Sequence, residues 1–269
     1  MTELDLVVPR GRPVLGVVVP AHDEEDLLGD CLAGLRTAAR AVGDRARVDV
    51  VVVADACTDR TERVARRHHV GVLRLAARNV GRARAAGADL LLSRREEPAT
   101  WIATTDADSV VPPGWLVAQL DACEAGADAW VGTVEVEDWS GLAGPVRARY
   151  GDLYADGTVG DGHRHVHGAN LGVAAPAYRA VGGFPPLDTG EDVTLVRRLD
   201  DDGRRVVRDR AHPVRTSART VGRAPAGFAS HLRVLSEMHV IPTSPGTLPA
   251  EPRCSRRRGH EGGPAARIS

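Results

Sequence analysis

Residues 14–35 read VLGVVVPAHDEEDLLGDCLAGL. The run 14–19 is apolar and mostly β-branched, the composition of a strand covered on both faces. After it, Leu27, Leu28, Cys31, Leu32 and Leu35 fall at i, i+1, i+4, i+5 and i+8, which is one face of a helix. Between the two lies the acidic turn PAHDEE. Asp23 is placed to cap the helix, with Asp26 three residues on as its capping-box-like partner.

The same alternation continues outward. Apolar runs at 48–54, 70–75, 101–105 and 129–134 read as further strands. Segments 59–67 and 81–92 read as helices, and Pro113 opens another with Trp115, Leu116, Gln119, Leu120 and Cys123 along one side. Such repetition predicts an α/β fold with a mainly parallel, doubly wound sheet and helices on both faces. Beyond it, 150–163 reads as loop or weak helix, 166–174 as a strand, 191–199 as a helix and 205–207 as a short strand. From about residue 241 the chain is Pro, Gly, Arg and Ser with little apolar content, a tail expected to be disordered.

Composition sets bounds. The chain has 269 residues, 35 basic and 36 acidic, for a formal charge of −1. At roughly 150 residues per domain this allows one large domain or two small ones. Near-neutrality argues against nucleic-acid binding by bulk charge. No stretch has the roughly 18 consecutive apolar residues of a membrane span. The N-terminus lacks a signal-peptide core, so a cytoplasmic location is expected. Cys31, Cys57, Cys123 and Cys254 are widely spaced and read as reduced thiols.

In an open parallel sheet, ligands sit beyond the carboxyl ends of the strands. Three successive ends carry carboxylates here: Asp23, Glu24 and Glu25 after the first strand, Asp55 and Asp59 after the second, Asp106 and Asp108 after the fourth. Helix capping accounts for Asp23 and Asp59. Asp106 and Asp108 stand several residues before the next helix, and an Asp-x-Asp pair at a strand end suits a hard dication such as Mg²⁺ or Mn²⁺. A dinucleotide-dependent oxidoreductase is disfavoured, because PAHDEE replaces the G-x-G-x-x-G turn a pyrophosphate needs.

The motifs VVVPAHDEEDLLGDCLAGL, VVVADACTDRT, NVGRARAAGADLLL and IATTDADSVVPPGWL resemble the nucleotide-binding half of GT-A fold, family 2 glycosyltransferases. HGANLGVAAPAYRAVGGFPP and GEDVTLVRRL resemble the acceptor half, so the likeness runs over about residues 14 to 235. It implies a GT-A-like domain with 14–134 as the nucleotide-sugar half and 135–240 as the acceptor half, flanked by an extension (1–13) and the tail (241–269). It implies transfer of a sugar from a UDP- or GDP-sugar to a hydroxyl on a lipid, saccharide or small metabolite, with inversion, using Mn²⁺ or Mg²⁺.

Roles follow from the same resemblance. Pro20, Ala21, His22, Asp23 and Glu24 would line the base and ribose pocket. Asp55 would bond the base, and Arg84 would approach the base or diphosphate. Asp106, with Ala107 beside it, would touch the ribose or donor sugar, and Asp108 would ligate the metal. Glu191-Asp192 matches the family's acidic pair, whose aspartate is the general base of inverting members. His212 stands where some GT-A enzymes place a further metal ligand; a plain loop histidine before Pro213 is the alternative. Gly168 and Asn170, in the acceptor-side motif, would bind the acceptor. Ala54 replaces the first of two adjacent aspartates common in the family, and no Gln-x-x-Arg-Trp motif of processive synthases is present.

Other residues are read without the family. Trp139 lies in an irregular stretch and is the candidate for stacking on an acceptor, whereas Trp101 and Trp115 belong to the core. His163, His165 and His167 alternate, so an extended chain puts them on one side; solvated loop histidines are favoured over a zinc site. Arg215, Arg219 and Arg223 could clamp an anion. Arg256, Arg257 and Arg258 leave room for contact with the inner face of a membrane. Two alternatives stand: a non-catalytic nucleotide-sugar-binding partner protein, and a sugar-phosphate nucleotidyltransferase, for which PAHDEE lacks the basic glycine-rich loop.

Overall fold

The computed structural model describes residues 12–136, 139, 147–148, 151, 154, 157–159 and 162–217. The expected alternation is present: β1 (Val14–Ala21), α1 (Leu28–Val42), β2 (Arg47–Asp55), α2 (Thr61–Arg67), β3 (Gly71–Leu75), α3 (Val80–Leu92), β4 (Trp101–Thr104), β5 (Ser109–Val110) and α4 (Trp115–Glu124). Then follow β6 (Ala129–Val136), the hairpin β7 (Thr158–Val159) and β8 (Gly162–His163), β9 (Leu171–Ala174), α5 (Ala175–Ala180), α6 (Glu191–Asp201) and β10 (Val206–Thr216).

Eight strands form one sheet in the order β3-β2-β1-β4-β9-β6-β10-β5. The pairs β3–β2, β2–β1, β1–β4 and β6–β10 are parallel. The short β9 runs antiparallel between β4 and β6, and β5 pairs antiparallel with the end of β10. The sheet is therefore mainly parallel with two reversed insertions, and strands from both sequence halves share it.

Alternate side chains of β1 feed two cores. Leu15, Val17 and Val19 pack with Leu28, Cys31, Leu32 and Leu35 of α1 and with Trp101 and Trp115. Val14 and Val18 face the other way, towards Ala83, Ala88 and Leu91 of α3 and Leu195 and Leu199 of α6. Burial on both faces is why these strands read as unbroken apolar runs. Trp101 and Trp115 are wholly buried, in keeping with a core role.

Several local expectations change. Asp23 does not cap α1, whose N-cap position is Leu27 with no side-chain cap. The strand expected at 166–174 shortens to β9, because 168–170 form a turn that the site uses. The strand expected at 205–207 extends to Thr216. Cys31, Cys57 and Cys123 are free thiols. Cys254, the extension at 1–11, Arg219, Arg223 and the tail with Arg256, Arg257 and Arg258 lie outside the described residues.

Candidate active site

The carboxyl ends of β1 and β2 close on each other through their acids. Asp23 Oδ1 accepts from the backbone N–H of Thr58 at 2.6 Å and of Asp59 at 3.3 Å. In return Asp59 Oδ2 accepts from the N–H of Glu25 at 2.9 Å. Asp59 Oδ1 takes the N–H of Thr61 at 2.9 Å, which caps α2 from just outside it. The Thr58 N–H is the main reason the Asp23 carboxyl sits below its usual range. Ligand atoms of Asp23, Cys57 and Asp59 lie within 4.8 Å of one another, yet both carboxylates are already engaged in closing the loop. Glu24 is buried, and its N–H donates to Thr61 Oγ1 at 2.7 Å. His22 Nδ1 donates to the Asp55 carbonyl at 2.7 Å. Pro20, His22 and Asp23 keep partial exposure on this edge, whereas Ala21 is buried.

Asp55 is 4% exposed and shapes backbone. Its Oδ1 accepts from the N–H groups of Ala77 (2.6 Å) and Arg78 (2.9 Å), and its Oδ2 from that of Asn79 (2.8 Å). Three backbone donors on one buried carboxylate fix the turn into α3. Asn79 caps α3 through Arg82 N–H and reaches Asp188 Oδ1 at 2.6 Å. The Gly81 N–H donates to the Leu187 carbonyl at 3.1 Å. A Cβ at Gly81 would lie 2.2 Å from the Pro185 carbonyl oxygen, so only glycine permits this approach. The loop leading to Glu191 is thereby pinned to the loop that Asp55 shapes.

The Asp106-Ala107-Asp108 turn follows β4. The Asp106 carbonyl accepts from the buried Cys31 thiol at 3.3 Å. Burial pushes that thiol far up, so it stays protonated as a donor. Asp108 keeps partial exposure; Ser217 Oγ donates to its Oδ2 at 3.1 Å, and Ser109 Oγ lies 3.3 Å from its Oδ1. Ser109 Oγ also bonds Thr216 Oγ1 at 3.0 Å. An exposed carboxylate steadied by hydroxyls is a hard-oxygen donor set, and it fits Mg²⁺ or Mn²⁺.

The register Thr216↔Ser109 sets the end of β10 beside Asp108. His212 lies upstream and abuts the start of α4: a Cβ at Gly114 would be 3.3 Å from its Nε2. Ser217, which sequence reasoning passed over, is the residue that β10 delivers to Asp108. Its only sequence signal was its place directly after a strand that itself read as polar loop.

On the acceptor side, the two members of the acidic pair diverge. Glu191 is 2% exposed and pairs with the Arg84 guanidinium. Asp192 is half-buried; its Oδ2 accepts from the Gly168 N–H at 2.6 Å and its Oδ1 from its own helix at Val193 N–H, 2.7 Å. Of the pair, only Asp192 can meet a substrate. Arg84 also pairs with Asp106 and is 4% exposed. Gly168 lies on the guanidinium: a Cβ there would be 2.3 Å from Arg84 Cζ. Thr104 Oγ1 donates to the Gly168 carbonyl. Through these two backbone bonds Gly168 ties Asp192 to the end of β4.

A family model described as Glycosyl transferase family 2 matches residues 16–178, more than half of the chain. The chain belongs to glycosyl transferase family 2. No curated protein matches it in sequence. Among solved structures, the mannosyltransferase PcManGT from Pyrobaculum calidifontis, in complex with GDP-Man and Mn²⁺, is similar with a TM-score of 0.57 and 19% identity, covering 87% of this chain and 72% of that one. TarS 1–349 of S. aureus in complex with UDP-GlcNAc gives a TM-score of 0.56 and 16% identity over 82% of this chain, which spans only 65% of that one. Glucosyl-3-phosphoglycerate synthase from Mycobacterium tuberculosis, with Mn²⁺, UDP and glucosyl-3-phosphoglycerate, gives 0.53 and 14% over 84% of this chain and 77% of that one. At these identities the shared property is the GT-A fold.

This family 2 chain keeps its remaining candidates in a bulge of β10. Five steps of β10, Asp209 to Val214, span what two steps of β6 span. Bulges of this kind re-aim side chains beside active sites. His163 Nε2 donates to the stranded carbonyls of Val131 and Asp209, both at 3.1 Å. Asp209 Oδ2 accepts from the backbone N–H and Nδ1 of His212, at 2.8 and 3.1 Å. Asn170 is 0% exposed: its Nδ2 donates to the Thr133 and His212 carbonyls, and its Oδ1 accepts from Trp115 Nε1 at 2.7 Å. Asn170 thus ties bulge, β6 and α4 together and has no face for an acceptor.

The alternating histidines do share one side. His163 is buried, not solvated, and burial holds its pKa down. The His165 ring stacks on Tyr154 at 3.9 Å, with His167 6.1 Å beyond. Trp139 is half-buried in the sparsely described stretch between β6 and β7, and Arg215 is exposed on β10.

Proposed function

We propose that the chain is a glycosyltransferase that moves a sugar from a UDP- or GDP-sugar to a hydroxyl acceptor with inversion, using Mn²⁺ or Mg²⁺. The carrying observation is the meeting of two carboxylate sets: the Asp106–Asp108 turn at the end of β4 and Asp192 at the start of α6, joined beneath by Arg84. The GDP-Man and Mn²⁺ of PcManGT, the UDP-GlcNAc of TarS and the UDP and Mn²⁺ of the phosphoglycerate enzyme support the donor class.

In this reading Pro20, His22 and Asp23 flank the nucleotide, and Asp55 supports the turn beneath it. Asp106 orients the ribose or the donor sugar. Asp108 holds the cation, which when bound neutralises charge developing on the leaving diphosphate. The acceptor oxygen forms the new bond to the anomeric carbon as the bond to the nucleotide diphosphate breaks. Asp192 takes the proton that oxygen loses. Gly168 fixes the rotamer of Asp192, and Arg84 and Glu191 brace both. Trp139 is the proposed acceptor platform. Among the described residues no helix is long and apolar enough to cross a membrane, and a cytoplasmic site of action stays part of the proposal.

Asp192→Asn separates an enzyme from a binding protein. The variant should still bind nucleotide diphosphate, while sugar transfer drops by about 10²-fold or more, as for loss of a general base. Unchanged transfer would contradict the assignment of Asp192.

A further inference from the structure

Arg84 holds an unusual position for a cation in a site that handles phosphates. It is 4% exposed, and its two terminal nitrogens are spent on Asp106 and Glu191. Its Nε is buried with no hydrogen-bond partner among the described residues. Gly168 closes over it. The guanidinium is therefore a buried link between two carboxylates of different duty. The Asp106 side chain is 37% exposed, and the proposed function places it at the donor. Glu191, 2% exposed, stands in the first turn of α6, where the next residue is Asp192. A second route runs from Arg84 through the overlying Gly168 to Asp192 Oδ2.

A buried cation cannot leave either partner without stranding a charge, so such a pair moves as a unit. We propose that Arg84 is a positioning residue that couples the two half-sites: engagement of the donor at Asp106 sets the placement of Asp192 through Glu191 and Gly168. The coupling is reciprocal, so a change on the acceptor side is felt in donor affinity. The inference rests on the glycosyltransferase reading and adds to it how donor and acceptor sites are made interdependent.

The test is a double-mutant cycle of Glu191→Gln and Asp106→Asn, both near-isosteric, with donor affinity read by calorimetry. Glu191→Gln should weaken nucleotide-sugar binding by about fivefold or more, within the usual range of coupling between sites. On the Asp106→Asn background it should have almost no further effect. Arg84→Lys, which keeps the charge but cannot fork to both acids, should lower kcat by about tenfold or more while acceptor KM stays within about twofold. Equal effects of Glu191→Gln on both backgrounds, or no effect on donor affinity, would overturn the coupling. So would an Arg84→Lys enzyme altered only in donor KM. A wild type that neither binds nor turns over any nucleotide sugar would instead overturn the functional reading, and this inference with it.

Discussion

The Arg84 guanidinium and the Gly168 backbone are in contact so close that a Cβ on Gly168 would sit 2.3 Å from Arg84 Cζ. Neither partner can retreat. Arg84 is held by Asp106 and Glu191, and Gly168 by Asp192 and Thr104.

Gly168→Ala should therefore act on the whole site. The added methyl forces overpacking that costs about 1–3 kcal/mol of stability. Because it pushes on Arg84 and pulls the N–H from Asp192, turnover should fall by more than about 10²-fold, as for a misplaced catalytic group. Thermal unfolding and steady-state kinetics check the two parts. Full activity in the alanine variant would contradict the packing described.

Ala56, just past β2, has φ of +52°. The left-handed region costs a residue with a Cβ roughly 1–2 kcal/mol, and glycine gives back part of that as chain entropy on unfolding. Ala56→Gly should then stabilise the protein by up to about 1 kcal/mol, read as a melting temperature higher by roughly 2–4 °C.

Asp23 supplies a pH-dependent contribution. Its carboxyl is held below the ordinary value of 3.8, chiefly by the Thr58 N–H. The folded state thus binds the proton less readily than the unfolded chain. The stabilisation is present above about pH 4 and is lost as pH falls through the folded pKa. Asp23→Asn should lower stability at pH 7 and make less and less difference as pH falls through the folded pKa, compared by denaturant titration at each pH.

Asn170→Ala removes three hydrogen bonds at a fully buried position. Trp115 Nε1 loses its acceptor and two carbonyls lose a donor. With unsatisfied buried groups at about 1–3 kcal/mol each, unfolding should come at least about 3 kcal/mol sooner. A loss below about 1 kcal/mol would contradict its place as the tie between bulge and core.

What the sequence made legible follows burial. β1, β2 and β4 are covered on both faces and announce themselves as apolar runs; α1 and α6 carry clean stripes. β10 was hidden because RDRAHPVRT is polar and contains Pro213, and its bulge is built from side chains of distant segments, Asn170 and His163. The acids at the strand ends were visible, but their partners were not. Asp23 reads as a local cap and in fact serves the loop after β2. Glu191 and Asp192 are neighbours in sequence, yet successive helical residues point about 100° apart, so one turns inward to Arg84 and the other outward. Asp108 was identifiable, whereas Ser217 depends on the β5–β10 register that no local pattern reveals.

The account stands most directly on Asp108. Calorimetric titration of UDP and GDP, each with and without Mn²⁺, should be run on the wild type and on Asp108→Ala. The account predicts that one nucleotide binds the wild type, that Mn²⁺ tightens it by about tenfold or more, and that the variant loses the metal-dependent part. Binding that is equal in both proteins, or absent under every condition, would contradict a nucleotide-diphosphate site at the end of β4.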